Sequence, residues 1–176
     1  MNKKSIVFFG MLMAALLAAP LTVSADLLGT SVIGTPLFPD TSTLGGTGHQ
    51  AGPITVGAGI EFPDGVILYS GNIDITDNQI FWIPTISTTY LTSTFNGFSL
   101  QFIGAPPITN VILNPASLLS ATSISFTADT VFLNFSGQTA KANEAAIFDV
   151  NPVPEPTTML LLGLGLMGLA VVKRQI

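Results

Sequence analysis

The chain has 176 residues, no cysteine, a formal net charge of −5 at pH 7, and charged side chains at only 9% of its positions. This length suits one ordinary domain, and the lack of cysteine excludes a disulfide framework and a thiolate metal site. Between Asp26 and Pro152, Lys141 is the only lysine or arginine and it stands against nine acidic residues. Phosphate binding needs clustered basic side chains, so nucleic acid is excluded as an expected partner.

Residues 1–25 have the composition of a secretory signal peptide. Lys3 and Lys4 open the segment, a short uncharged apolar stretch follows, and small residues lead to Ala25. This order predicts a signal helix that the general secretion machinery recognises, with cleavage between Ala25 and Asp26. The alternative interpretation is a buried N-terminal helix or a retained anchor.

Residues 26–150 are predicted to form the exported domain. Short apolar runs alternate with serine and threonine at a period of two, and turn residues separate the runs. That period predicts β-strands, while the scarcity of Lys, Glu and Arg disfavours long amphipathic helices. The expected fold is all-β: a single antiparallel β-sandwich with hydroxyl-rich outer faces, flanked by the signal helix and a short C-terminal transmembrane helix.

Individual strands and turns follow from local patterns. The predicted strands are 54–61, 80–83, 98–103, 146–150, and a hairpin of 123–129 with 131–135. Residues 63–65 and 96–97 are predicted turns, and the Gly-, Thr- and Pro-rich segment 35–53 is a predicted loop. Prolines are expected to interrupt pairing at exposed sheet edges; they are Pro84, Pro106, Pro107 and Pro115.

Four acidic residues form the most polar stretch of the domain: Glu61, Asp64, Asp74 and Asp77. We interpret them as acids of surface turns. A weak extracellular calcium site is the open alternative, although neither EF-hand spacing nor an aspartate repeat is present. A carboxylate pair for glycoside hydrolysis would use the same residues, but the sequence does not fix their separation.

Three further residues have a functional and a structural interpretation. His49 lies in a glycine-rich segment without a nucleophile or a second ligand, which favours a solvated loop histidine. Trp82, within Ile-Phe-Trp-Ile, is interpreted as core rather than as a platform for a sugar ring. Asn134 begins a glycosylation sequon but falls in a predicted strand. No catalytic residue, metal ligand or cofactor is therefore predicted, and the protein is expected not to be an enzyme.

The C-terminal residues have three parts in a fixed order. Residues 151–158 form a proline-rich linker, residues 159–172 are uncharged and predict a transmembrane helix, and residues 173–176 form a basic cytoplasmic stop. Fourteen apolar residues are fewer than the roughly 20 that cross a bilayer core, so the anchor is short and suited to a temporary role. A plain C-terminal membrane anchor is the alternative.

This tail resembles the PEP-CTERM sorting signal of Gram-negative bacteria. The matching features are an apolar run over 159–172 and the residues Val153, Pro154, Glu155, Pro156, Lys173 and Arg174. The resemblance implies recognition and processing by exosortase, a multi-spanning membrane enzyme, and association with exopolysaccharide and the biofilm matrix. The basic cluster departs from the family pattern, because it reads Lys-Arg-Gln-Ile where an arginine-rich ending is usual.

These features together predict a destination. The protein is expected to cross the inner membrane, to be membrane-anchored transiently, and then to reach the cell envelope, the surface or the extracellular matrix. Its expected partners are the secretion machinery, an exosortase-type enzyme, the membrane and exopolysaccharide. The alternative function is an extracellular carbohydrate- or calcium-binding module acting through Trp82 or the acids between Glu61 and Asp77.

Overall fold

The computed structural model describes residues 26–45, 49–68 and 70–152, and every regular element in these ranges is a β-strand. The predicted signal helix, the predicted transmembrane helix and the Pro-Glu-Pro segment lie outside them. The described residues include no helix that is long and apolar enough to cross a membrane. The prediction of an all-β, antiparallel domain is confirmed.

Twelve strands follow one another along the described residues. They are β1 (Ser31–Leu37), β2 (Ala51–Thr55), β3 (Ile60–Phe62), β4 (Gly71–Ile75), β5 (Gln79–Pro84), β6 (Thr88–Thr89), β7 (Gly97–Ile103), β8 (Ile108–Leu113), β9 (Ser123–Phe126), β10 (Thr130–Asn134), β11 (Thr139–Ala140) and β12 (Ala146–Pro152).

The strands form two five-stranded antiparallel sheets and one small ribbon. The first sheet has the order β2-β1-β7-β10-β9, the second has the order β3-β4-β5-β12-β8, and β11 pairs with β6. The last strand, β12, is an internal strand of the second sheet, where it pairs with both β5 and β8.

One hydrophobic cluster takes side chains from both large sheets. Phe98 comes from the first sheet, Trp82 and Phe148 come from the second, and all three are completely buried. Phe135, which follows β10, contacts them all, with ring centroids 4.8 Å from Trp82, 6.0 Å from Phe98 and 6.3 Å from Phe148. Burial of these large apolar rings is the main driving force for assembly of the domain.

Several predicted strands are confirmed. The hairpin is present as β9 and β10, the run 98–103 lies within β7, and Trp82 lies in β5 with a buried side chain. β12 begins at Ala146 as predicted and continues to Pro152, because Asn151 and Pro152 pair with β8.

Three local predictions are wrong. The run 54–61 is divided between β2 and β3, since residues 56–59 pass from one sheet to the other and Gly59 has a φ of 117°. The predicted loop 35–53 is too long, because residues 35–37 belong to β1 and residues 51–53 belong to β2. Asn96-Gly97 is no tight turn. Gly97 begins β7, where a Cβ would lie 2.0 Å from the Leu133 carbonyl oxygen.

The two outer faces differ in composition. The outward positions of the first sheet carry hydroxyl side chains at Ser31, Thr35 and Ser125, together with the half-buried apolar side chains of Ile33 and Phe132. The second sheet instead combines acids and carboxamides with half-buried apolar side chains such as Phe81 and Ile147. Hydroxyl side chains, which were predicted for both outer faces, are therefore prominent on the first sheet only, where apolar residues accompany them.

Candidate functional site

Glu61 is a structural residue and not an acid of a surface turn. Its side chain is 7% exposed, and its two carboxylate oxygens accept hydrogen bonds from the Gly57 amide at 2.9 Å and the Ile75 amide at 2.7 Å. These bonds fasten the crossing segment 56–59 to the end of β4. Since both oxygens are occupied by backbone donors, the interpretation of Glu61 as a surface acid is wrong.

The remaining acids of the polar stretch do not form one group. Asp64 lies beyond the end of β3 and accepts a hydrogen bond from the Thr85 hydroxyl at 2.6 Å. Asp74 and Asp77 are at the other end of the second sheet, where they line an open hollow of about 450 Å³ with Leu28, Val56–Gly59 and Thr76. Within the three described ranges, no three side chains of the His, Cys, Asp and Glu types gather as metal ligands would.

The single tryptophan has no surface for a sugar. Trp82 is 0% exposed and its ring packs edge-on against Tyr90, with ring centroids 5.7 Å apart. Burial also raises the pKa of the Tyr90 hydroxyl above its ordinary value, so this hydroxyl stays neutral. The interpretation of Trp82 as core is confirmed, and a stacking platform at this residue is overturned.

The other two residues singled out from the sequence have no arrangement for chemistry. His49 is exposed in the segment between β1 and β2. Asn134 is 4% exposed, and its carboxamide is fully engaged: the oxygen accepts from the Asn96 and Ser136 amides, and the nitrogen donates to the Thr94 carbonyl and the Ser123 hydroxyl. A glycan could not be attached to Asn134 without breaking this network.

Strand directions sort the connecting segments into two ends of the domain. The first end, which we call the exit pole, comprises 26–30, 56–59, 76–78, 104–107, 127–129 and Pro152. Backbone hydrogen bonds join these segments across the two sheets, from the Leu27 amide to the Asp77 carbonyl and from the Ile108 amide to the Ala128 carbonyl. The opposite end, the distal pole, has the longer segments, including 85–96, 114–122 and 135–145.

The turn that closes the β9–β10 hairpin belongs to the exit pole. Hydrogen bonds from the Thr127 hydroxyl at 2.7 Å and the Thr130 hydroxyl at 2.9 Å hold the pKa of Asp129 below its ordinary value. Its carboxylate is therefore ionised at any pH near neutrality.

The described chain both enters and leaves the domain at the exit pole. Asp26 begins the first of its segments, and Pro152 is the last residue paired to β8. The family model described as the PEP-CTERM protein-sorting motif matches residues 152–175, beginning at that paired residue. The chain carries a PEP-CTERM protein-sorting motif. No curated protein and no solved structure gives a significant match to the chain.

The PEP-CTERM motif implies a route. It implies export, membrane-anchored processing by an exosortase-type enzyme, and delivery toward the cell envelope or surface. The residues that sequence reasoning assigned to the signal, Val153 to Pro156 with Lys173 and Arg174, fall within the matched range, although they lie outside the described residues.

Sequence reasoning missed the exit pole. Its five segments are separated by at least 16 residues along the chain, and their meeting depends on which strands pair. A chain that enters and leaves a domain at the same end must pass between the two ends an even number of times. That rule could have indicated the exit pole, but the number of strands could not be read reliably from local patterns.

Proposed function

We propose that this protein is a non-enzymatic β-sandwich that exosortase-type processing delivers to the cell envelope or the exopolysaccharide matrix. The observation that carries the proposal is the sorting motif over residues 152–175. The sandwich assignment is supported by the cluster shared between the two sheets, in which Phe135 contacts rings from both.

The absence of an enzymatic role is supported by how the acids are used. Glu61 accepts two backbone hydrogen bonds, and Asp149 accepts from the side chains of Gln79 and Asn114 at 2.7 and 2.9 Å. A glycosidase needs two free carboxyl groups facing each other across a cleft. Glu61, one of the four candidate acids, and Asp149 are thus engaged in structural hydrogen bonds, and Asp64 lies at the opposite pole from Asp74 and Asp77.

Substitution of the motif tests the sorting pathway. Pro154→Ala, Glu155→Ala and Pro156→Ala in one chain should leave the tail unprocessed in the host, seen as an intact mass equal to that of the unprocessed chain and as retention in the membrane fraction. The matched control is Thr157→Ala with Thr158→Ala, which should process normally. An unchanged mass and location for the triple variant would refute the sorting pathway.

Association with the matrix needs a separate measurement. We expect the processed protein to sediment with the exopolysaccharide of the host and to be released when that polysaccharide is digested. If the protein stayed with the cells after complete digestion, the matrix would be the wrong destination although the sorting pathway could still hold.

A second candidate function is a weak binding module at the hollow of the exit pole. The hollow combines the carboxylates of Asp74 and Asp77 with the apolar side chains of Leu28 and Val56, an arrangement able to accept hydrogen bonds from sugar hydroxyls or to supply oxygen ligands to calcium. Calorimetric titration with calcium and with host polysaccharide fragments tests it. Binding lost in Asp74→Ala with Asp77→Ala would support this function, and no heat with either ligand would eliminate it.

A further inference from the structure

The exit pole has a chemistry and a position that suit a contact during processing. We propose that the exit pole is the docking surface for the membrane enzyme that processes the tail, and that it binds a basic, partly apolar surface of that enzyme. This inference rests on the proposed sorting pathway, because without processing there would be no enzyme to dock.

The length of the tether makes contact unavoidable. Pro152 is fixed in the second sheet by its pairing with Ile108, and Glu155 follows only three residues later. Three residues of extended chain span at most about 11 Å. A folded domain of 100 residues already has a radius of gyration of about 13 Å. An enzyme that holds the Pro-Glu-Pro segment in its active site therefore meets the exit pole.

The charge of the exit pole predicts the character of its partner. Three acidic side chains, Asp26, Asp77 and Asp129, belong to its segments, and Asp74 faces the same hollow as Asp77. Lys141, the single lysine or arginine of the described ranges, lies at the distal pole between β11 and β12. Complementary potentials speed association and fix orientation, so the matching surface carries lysine and arginine.

Exposed apolar side chains accompany these acids. Leu28 is 42% exposed, Phe126 is 38% exposed at the end of β9, and Ile103 is 48% exposed at the end of β7. Apolar anchors surrounded by charged residues are the usual composition of a protein–protein interface. The open hollow beside Leu28 provides a recess for a side chain of the partner.

The lipid surface is the competing occupant, and the charges disfavour it. Anionic headgroups attract basic segments and repel carboxylates, each basic residue near the surface contributing about 1 kcal/mol of attraction. A pole with acids and without a described lysine or arginine is repelled by such a membrane, whereas a basic protein surface attracts it.

Charge reversal at the hollow tests the proposal in the full chain and in the host. Neither Asp74 nor Asp77 accepts a side-chain hydrogen bond among the described residues, so Asp74→Lys with Asp77→Lys should fold normally. The control for charge is Asp64→Lys with Glu144→Lys, which changes the net charge equally at the distal pole and also removes the exposed Thr85 hydrogen bond and the exposed Lys141 ion pair. Conversion of unprocessed to processed chain is followed by pulse-chase and immunoblot.

We expect processing of the exit-pole variant to slow by at least about fivefold, since like charges would then face each other at the contact. The control should remain within about twofold of the unaltered chain. Unchanged or faster processing of the exit-pole variant would overturn the proposal, and faster processing with stronger membrane retention would point to lipid. An equal loss in the control would also overturn it. Thermal unfolding of the secreted variants identifies any that fail to fold, and Asp74→Asn with Asp77→Asn then replaces the reversal.

A linker insertion provides an independent test. Ten Gly and Ser residues inserted between Pro152 and Val153 add a flexible spacer of roughly 17 Å root-mean-square length. With this spacer the charge-reversed chain should process as fast as the unreversed chain, because the pole no longer has to meet the enzyme. A fivefold difference that persists with the spacer would refute docking as its cause.

A photo-cross-linking amino acid distinguishes contact from an indirect effect. Placed at Leu28 it should cross-link to the processing enzyme, identified by its peptides, whereas the same group at Leu118 on the distal pole should not. The motif substitution Pro154→Ala, Glu155→Ala and Pro156→Ala separates the two hypotheses. If the motif substitution abolishes processing while charge reversal has no effect, only the docking hypothesis is wrong. If the motif substitution has no effect, the sorting pathway itself is wrong.

Discussion

Replacing the buried carboxylate of Glu61 with a methyl group should destabilise the domain by about 2 kcal/mol. Glu61→Ala removes the acceptor of the Ile75 amide, which is buried, and the acceptor of the Gly57 amide, which is exposed. A buried donor left without an acceptor costs about 1–3 kcal/mol, whereas water can replace the acceptor at an exposed amide. Part of this loss is offset, because the alanine variant no longer has the desolvation cost of a buried carboxylate.

Chemical denaturation and hydrogen exchange measure the effect. For a domain of this size, a loss of 2 kcal/mol lowers the Tm by roughly 6–10 °C. Amide exchange should accelerate at Ile75 and Gly57 before it does in the strands of the first sheet, since the crossing segment 56–59 is released from β4. The control is Glu144→Ala, which removes only an exposed ion pair with Lys141 and should cost less than about 1 kcal/mol.

A small change would refute this reasoning. If Glu61→Ala unfolded within about 0.5 kcal/mol of the unaltered domain, or if the Ile75 amide kept its protection, the two hydrogen bonds would not be what holds the crossing segment. The segment would then be fixed by its backbone bonds to residues 29 and 30 alone.

Three further predictions concern single residues. Gly97→Ala should lower the free energy of unfolding by about 3 kcal/mol or more, because its Cβ would lie 2.0 Å from a carbonyl oxygen. Gly57→Ala is the control and should cost less than about 1 kcal/mol, since the nearest atom to its Cβ would be 3.9 Å away. Urea denaturation measures both. Trp82→Ala should cost about 3–5 kcal/mol by creating a cavity, and it should leave polysaccharide sedimentation of the folded fraction unchanged. Asp129 has a lowered pKa, so its stabilising contribution is complete above its ordinary value of 3.8 and is lost as the pH falls toward the lower folded value. Asp129→Asn should therefore flatten the acid limb of a plot of stability against pH, and an unchanged limb would contradict this assignment.

The parts of the fold that sequence predicted are those with short-range causes. The β9–β10 hairpin follows from two apolar alternations with a polar turn around Asp129, and both strands are neighbours in sequence. β5 follows from a continuous apolar run that includes Trp82. In each case the pattern and the burial that explains it lie within a dozen residues, so local reasoning was sufficient.

Misinterpreted residues depend on distant partners. Gly97 looked like a turn glycine, yet its lack of a Cβ is required by Leu133, 36 residues away on β10. Glu61 looked like a surface acid because its buried hydrogen-bond donor, the Ile75 amide, belongs to another strand, 14 residues away in the sequence. The end of β1 and the start of β2 fell within the predicted loop 35–53 because that segment is rich in Gly, Thr and Pro, although pairing with β7 defines β1 along its whole length. Pairing decides these cases, and a single sequence does not display it.

The sorting segment shows the opposite situation. Its features are contiguous and occur in a fixed order: three prolines, an apolar run and two basic residues. Such features are recognised from local hydropathy and charge and do not depend on a tertiary partner. Sequence alone therefore located the signal. The exit pole, by contrast, is assembled from segments far apart in the chain, and it needed the strand order of both sheets.

The internal position of β12 sets the order of events during secretion. Export proceeds from the N-terminus, and residues 146–152 are the last of the domain to emerge. Until they do, β8 has no partner within its sheet, and β5 is an open edge. The final strand must then enter between two strands already in place, and only six residues, 153–158, separate it from the apolar run that follows. Completion of the fold and arrival of the sorting signal at the membrane are consequently nearly simultaneous. A chain truncated before residue 146 lacks both the strand that completes the second sheet and the sorting signal.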